Sequence, residues 1–222
     1  PAFAEDKIDL AKTKMRSQIS RRNDEVMSLS RREFVKLIYG KDSPYASQIE
    51  YDDVDNLSRE DLIKFYLKYF RPDETLIAVV GDFDAKEMKA VFEKYLGKWQ
   101  NPTPKPQYSL PKIPEMKPSI NFIEKNDVEQ TTILLGHLGL RLDDPDYPAI
   151  NMLSEILGGG MASRIFVQVR TLKGLAYGAG GYMIPAYDHN GAFYFYTSTK
   201  PETSIEALTT ILDEIKKIKT EK

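Results

Sequence analysis

Few residue types in this chain could carry out chemistry. It has no cysteine and two histidines, His137 and His189, which lie far apart in Gly136-His137-Leu138 and Asp188-His189-Asn190-Gly191. Neither histidine has a neighbour that would complete a ligand pair, so a three-ligand zinc site cannot be assembled locally. His137 reads as a structural residue near a strand end, and His189 as part of a hairpin turn. The lack of cysteine excludes disulfide frameworks and thiolate chemistry. It does not fix the compartment: periplasm and cytoplasm both stay open.

Arg170 and Tyr177 offer more. They stand seven residues apart with Gly174 between them. Arg170 follows an apolar helical face of Ile165, Phe166 and Val169, Gly174 lets the backbone reverse, and Ala176-Tyr177 opens a strand. A guanidinium is always charged and a phenol is a neutral donor. Together they can stabilise an amide oxygen that gains charge, with no proton transfer required. The plainer reading is a surface ion pair for Arg170 and sheet packing for Tyr177, and the residues alone leave both open. The run Gly158-Gly159-Gly160 is not a phosphate loop, because no Lys-Ser/Thr follows it. It reads as a helix stop with a tight turn, or as a place where a substrate backbone approaches closely. Arg164 either contacts substrate or caps the helix that follows.

The elements that must position these residues come next. Apolar residues at spacings of three and four predict amphipathic helices over 5–22 and 26–38, broken near Asn23-Asp24. Ser58 with Asp61 starts a helix over 59–69, and Asp84 caps another over 86–95. Between them, Thr75–Val80 reads as a buried strand closed by Gly81. Residues 101–118 hold Pro102, Pro104, Pro106, Pro111, Pro114 and Pro118, too many for a helix or a central strand, and predict an extended interdomain linker. After it, strands are expected over 119–124, 130–139, 176–184 and 191–198. Helices are expected from Asp144-Pro145 to Leu157, around 165–169, and over 201–219. The fold class is α+β: sheets covered by helices, in a first domain over 1–100 and a second over 119–222.

Composition sets outer limits. Hydrophobic residues make up 41% of the 222, enough for a core, and Lys+Arg (31) nearly balance Asp+Glu (33). No basic excess exists to select a phosphate backbone, so nucleic acid is not an expected partner. No apolar run is long enough to span a bilayer. The chain opens without Met or a signal pattern and stops as a helix finishes, and it reads as the middle piece of a longer protein.

The string Ile156-Leu157-Gly158-Gly159-Gly160-Met161-Ala162-Ser163-Arg164-Ile165-Phe166, with Arg170 and Gly174-Leu175-Ala176-Tyr177 after it, resembles the second domain of insulinase/pitrilysin-type zinc peptidases, in their bacterial processing-peptidase-like branch. Gly136-His137 and Asp143–Tyr147 match the opening of that domain. Tyr39–Tyr45, Leu57–Pro72 and Val79–Asp82 look like the close of the first. The resemblance implies two homologous α/β-layer domains of the LuxS/processing-peptidase-like kind, both incomplete here, enclosing a chamber. It implies a zinc-dependent peptide-bond hydrolysis in which the metal sits on a His-x-x-Glu-His motif with a distant glutamate. This chain has no such motif, and Gln18 falls at the place of that glutamate. A neutral amide is a poor zinc ligand, so no cofactor is expected here, and zinc would belong to a homologous subunit or domain carrying the motif. In active relatives an arginine and a tyrosine at this spacing bond the substrate backbone, a role that maps onto Arg170 and Tyr177. Arg164 and Gly158, Gly159 and Gly160 would line the substrate's path. The expected partner is a peptide or protein substrate, and the chain alone is expected to cleave nothing. The alternative is a non-catalytic structural or assembly subunit of the same fold.

Overall fold

The helical periodicity of the first hundred residues becomes α1 (Glu5–Arg21), α2 (Val26–Tyr39), α3 (Tyr51–Asn56), α4 (Arg59–Tyr69) and α5 (Ala85–Leu96) in a computed structural model that describes residues 1–101 and 103–220. Their starts are set by side chains that satisfy free backbone donors. Glu25 accepts from the N–H groups of Met27 and Ser28, and Asp84 from those of Lys86 and Glu87. Ser58 and Asp61 form the expected reciprocal box. The periodicity missed α3, six residues too short to show a repeat.

The chain divides into two units, one of Pro1–Ser20 with Ile49–Ser109, the other of Arg21–Gln48 with Leu110–Lys222. Polar clasps hold the first unit. Arg16 pairs with Asp55, joining α1 to the end of α3. The buried Arg71 binds Asp73 through two nitrogens and donates to the carbonyl of Thr103 at 2.7 Å. Thr75–Val80 does not form the expected strand. It pairs with no other strand among the described residues, and Leu76 is 94% and Val80 98% exposed. The apolar pattern records what a segment can bury, but a strand also needs a neighbour to take its backbone bonds, and none is present among the described residues. Ser119–Glu124 departs from expectation for the same reason, leaving Ile120 and Phe122 exposed.

The second unit carries the α+β layer. Strands β1 (Thr131–Leu138), β2 (Ala176–Ile184) and β3 (Ala192–Thr199) form an antiparallel sheet in the order β1-β3-β2. Alternation along the strands splits the side chains between two faces. On one face, Phe193, Phe195, Ala179 and Met183 join Leu157, Ile165, Val169, Ala207 and Ile211 from α6 (Tyr147–Gly158), α7 (Arg164–Phe166), the turns after it and α8 (Ser204–Lys217). On the other face, Tyr194 packs with Phe34, Ile38 and Tyr39 of α2. Helix α6 starts at Tyr147, later than the Asp144-Pro145 start expected, because the Asp144 carboxylate is taken up by the Asp146 N–H in a turn before the helix. A second sheet, expected within residues 1–100, is not formed among the described residues.

Candidate functional site

Helix α6 ends where it crosses β2, and the crossing requires Gly158. A Cβ there would stand 2.2 Å from the Gly181 nitrogen and 2.6 Å from its Cα, so only a bare α-carbon lets helix and strand meet. A Cβ on Gly159 would meet the last turn of the same helix, 2.6 Å from the Glu155 Cα. Gly160 is exposed, with nothing within 4 Å of where a Cβ would point. The Ser163 hydroxyl donates to the Gly160 carbonyl at 2.6 Å and leads the chain into α7.

The helix does not continue regularly after α7. Val167–Leu172 forms a π-helical turn, wider than α, pinned on the core side by Ile165 and Val169, both at 0% exposure. Such turns are rare and cluster at functional sites because the extra residue re-aims the side chains around it. Beyond it, Gly174 adopts a left-handed φ of 62°, and the Leu175 N–H returns to the Val169 carbonyl at 2.9 Å. The Thr199 hydroxyl fastens the Leu175 carbonyl to β3 at 2.6 Å, and Lys173 donates to Thr210 of α8 at 2.9 Å. In β2, Ala176 lies opposite Thr199 and Gly178 opposite Ser198, so Tyr177 is the extra residue of a β-bulge. A bulge turns its residue out of the pleat.

Two local irregularities therefore bring Arg170 and Tyr177 together. The Arg170 guanidinium carbon lies 5.6 Å from the centre of the Tyr177 ring and 4.9 Å from that of Phe166. Arg170 is exposed and Tyr177 is 84% exposed. Among the described residues no carboxylate pairs with Arg170, so the expected alternative of a surface ion pair is not what holds it. Its charge is steadied by ring faces and stays open to a ligand oxygen. This is a charged donor and a phenol on one exposed patch, the arrangement that polarises a carbonyl.

The other expected site residues lie elsewhere. Arg164 donates through Nε to Glu214 at 2.8 Å, and Lys217 reaches the other oxygen of that carboxylate, whose side chain is only 3% exposed. Burial by itself would raise the Glu214 carboxyl, but the Lys217 and Arg164 cations outweigh it and hold the group below its ordinary value. Gln18 is exposed on α1 in the first unit. His137 directs Nδ1 to the Leu138 carbonyl. His189 pairs with Asp188 at 2.7 Å and stacks on Tyr45 at 3.7 Å between ring centres. These donors do not fit a zinc ion: among the described residues no group of three or more His, Cys, Asp or Glu could hold a metal. Phe166 touches Arg170 without any distinctive motif in the sequence to mark the contact. Its spacing of four from Arg170 on a helix was the available signal.

The model of the peptidase M16 inactive domain matches residues 56–222. A relative from Rickettsia bellii (strain RML369-C), named "Uncharacterized zinc protease", is 28% identical over 220 residues, covering 98% of this chain and 52% of its own. A Bacillus subtilis (strain 168) protein named "Probable inactive metalloprotease YmfF" is 29% identical over 147 residues, 62% of this chain and 32% of its own. The crystal structure of a peptidase M16 inactive domain from Pseudomonas fluorescens superposes with a TM-score of 0.88 at 27% identity, covering 98% of this chain and 52% of that one. A protease from Helicobacter pylori shares the fold, with a TM-score of 0.80 at 22% identity over 97% of this chain and 53% of its own. The chain thus spans about half the length, or less, of these proteins.

Proposed function

The chain belongs to the peptidase M16 inactive-domain family, and from that premise we propose that it serves zinc-dependent peptide-bond hydrolysis by gripping the substrate, while a homologous subunit or domain holds the metal. In this reading Arg170 and Tyr177 donate to the substrate backbone beside the scissile bond and to the oxygen that gains charge in the transition state. The observation that carries it is their meeting on one exposed patch, built by a π-helical turn and a β-bulge and with the guanidinium free of any carboxylate among the described residues. Gly160, with open space over its α-carbon, gives a substrate chain room to approach, whereas Gly158 is committed to packing and Arg164 to Glu214.

The same reading takes residues 1–100 as the closing part of a first peptidase-like domain, 101–118 as the interdomain segment, and 119–222 as the opening part of a second, homologous one. The unpaired apolar stretches at 75–80 and 119–124 support this, since each has the composition of a strand in want of a sheet.

The test is proteolysis by the full-length parent, together with the homologous subunit where the zinc lies on a separate chain. Arg170→Ala and Tyr177→Phe should each lower turnover about 10²–10³-fold, the loss typical of a removed oxyanion donor, and raise KM through the lost contact to the substrate backbone. Unchanged turnover in both would transfer the chain to the second reading, an assembly subunit without a catalytic role. Gln18 and the printed name of the Bacillus relative favour that reading. Zinc-dependent cleavage by the isolated chain would contradict both.

A further inference from the structure

We propose that Phe166 is a positioning residue that holds the Arg170 guanidinium in its working orientation. The inference rests on the reading of Arg170 as a substrate donor and adds what fixes it in place. An exposed arginine with no carboxylate partner among the described residues would normally sample many rotamers. Here the guanidinium has a ring on each of two elements, Phe166 at 4.9 Å one helical turn earlier and Tyr177 at 5.6 Å on the bulge of β2. The two rings differ in how firmly they are held. Tyr177 is 84% exposed, whereas Phe166 is partly buried. Phe166 is therefore the fixed plate and Tyr177 the movable one.

The choice of a ring also matters chemically. A carboxylate would orient the guanidinium but satisfy its donors and cancel its charge. A phenyl face attracts the cation through its quadrupole and takes up no N–H, so the full charge and the planar fork remain available to an oxygen. The π-helical turn at Val167–Leu172 sets where Arg170 leaves the backbone relative to that face.

The test compares Phe166→Leu, which keeps apolar bulk without a π face, with Phe166→Tyr, which keeps the ring, using NMR of the Arg170 Nε–H group in the full chain. In Phe166→Leu the Nε order parameter should fall by about a third, the step between rigid and flexible groups, and the ring-current shift of the Arg170 side chain should shrink to the part that Tyr177 supplies. Phe166→Tyr should preserve both, and in each variant the methyl shifts of Ile165 and Val169 should report an intact core. An order parameter unchanged in Phe166→Leu, or lowered equally in Phe166→Tyr, overturns the proposal. Should Phe166→Leu not fold, the unmodified chain still decides: NOEs between the Arg170 δ protons and the Phe166 ring are required. Their absence, with Arg170 nonetheless rigid, sinks the idea. This readout is independent of proteolysis. A catalytic Arg170 held by something else gives a null result here, and a well-held Arg170 with no catalytic role gives the NMR result without a change in turnover.

Discussion

The two units of the chain carry similar kinds of sequence and put them to different use. In the second, apolar residues from three strands and four helices meet in two cores, and side chains such as Ile165, Val169, Ala207 and Ile211 are wholly buried. In the first, helices of comparable amphipathic pattern leave Phe65, Phe70, Val91 and Tyr95 exposed, and Ile19 and Val54 are its buried apolar side chains among the described residues. Ion pairs and backbone clasps from Arg16, Arg59 and Arg71 hold it instead. The patch proposed to grip substrate would need rigid supports, and the second unit offers them: Arg170 leaves a turn whose inner side is core. The difference shows that amphipathicity specifies a face to be covered, while a partner layer turns that face into a core.

The contrast is best attacked where it predicts the largest gap. Ile165→Ala should cost about 2–5 kcal/mol, the usual loss for a buried aliphatic side chain that leaves a cavity. Val80→Ser, at a residue 98% exposed, should stay within about 0.5 kcal/mol. Urea unfolding of the two variants measures both. Equal losses would mean that Val80 is buried in solution and that the units do not differ as described. A smaller gap separates two glycines. Gly158→Ala forces a methyl against the backbone of Gly181 and should cost about 1–3 kcal/mol by overpacking. Gly81→Ala in the first unit meets only the Phe83 ring at an ordinary 3.6 Å and should be near neutral. A neutral Gly158→Ala would reopen the glycine run to a role other than packing.

Much of the second unit is legible in the sequence. The strands near 130–139, 176–184 and 191–198 and the helices near 144–157 and 201–219 appear close to where periodicity puts them, because each has a partner and so behaves as its pattern suggests. The apolar runs at 75–80 and 119–124 read equally well as strands and are not, since pairing is a property of the neighbour and no local pattern encodes it. Arg170 and Tyr177 were visible as types and spacing. The π-helical turn and the bulge that aim them were not, because each is a one-residue misfit between segments that pack at a distance in sequence. Glu214 gives no sign of this role in the sequence, yet its buried carboxylate anchors Arg164.

That anchor gives the next test. Glu214→Gln leaves two cations against a neutral group and should cost about 1–3 kcal/mol at neutral pH. Glu93→Gln, in the exposed Lys89–Glu93 pair of the first unit, should cost no more than about 0.5 kcal/mol. Acid distinguishes the two further. The Glu214 carboxyl is held below its ordinary 4.5, so its contribution is complete above that pH and is lost as the pH falls through the lower folded-state value. The gap between wild type and Glu214→Gln should therefore close below pH 4.5. A gap that stays constant would mean that the carboxylate does not carry the interaction.

A small expected change in stability also falls on a residue expected to matter greatly for activity. Tyr177 lies on a bulge with 84% of its surface exposed, so Tyr177→Phe should alter stability by less than about 0.5 kcal/mol. Its ring survives, so the stack on Arg170 should survive with it, and only the phenolic donor is lost. Arg170→Lys makes the converse change, keeping the charge while removing the planar fork that lies against two rings. If orientation is what the turn and the bulge are built for, Arg170→Lys should recover little of the turnover lost in Arg170→Ala, although both fold normally. Full recovery by lysine would show that charge alone suffices, and the core packing that separates the second unit from the first would then have no bearing on the chemistry.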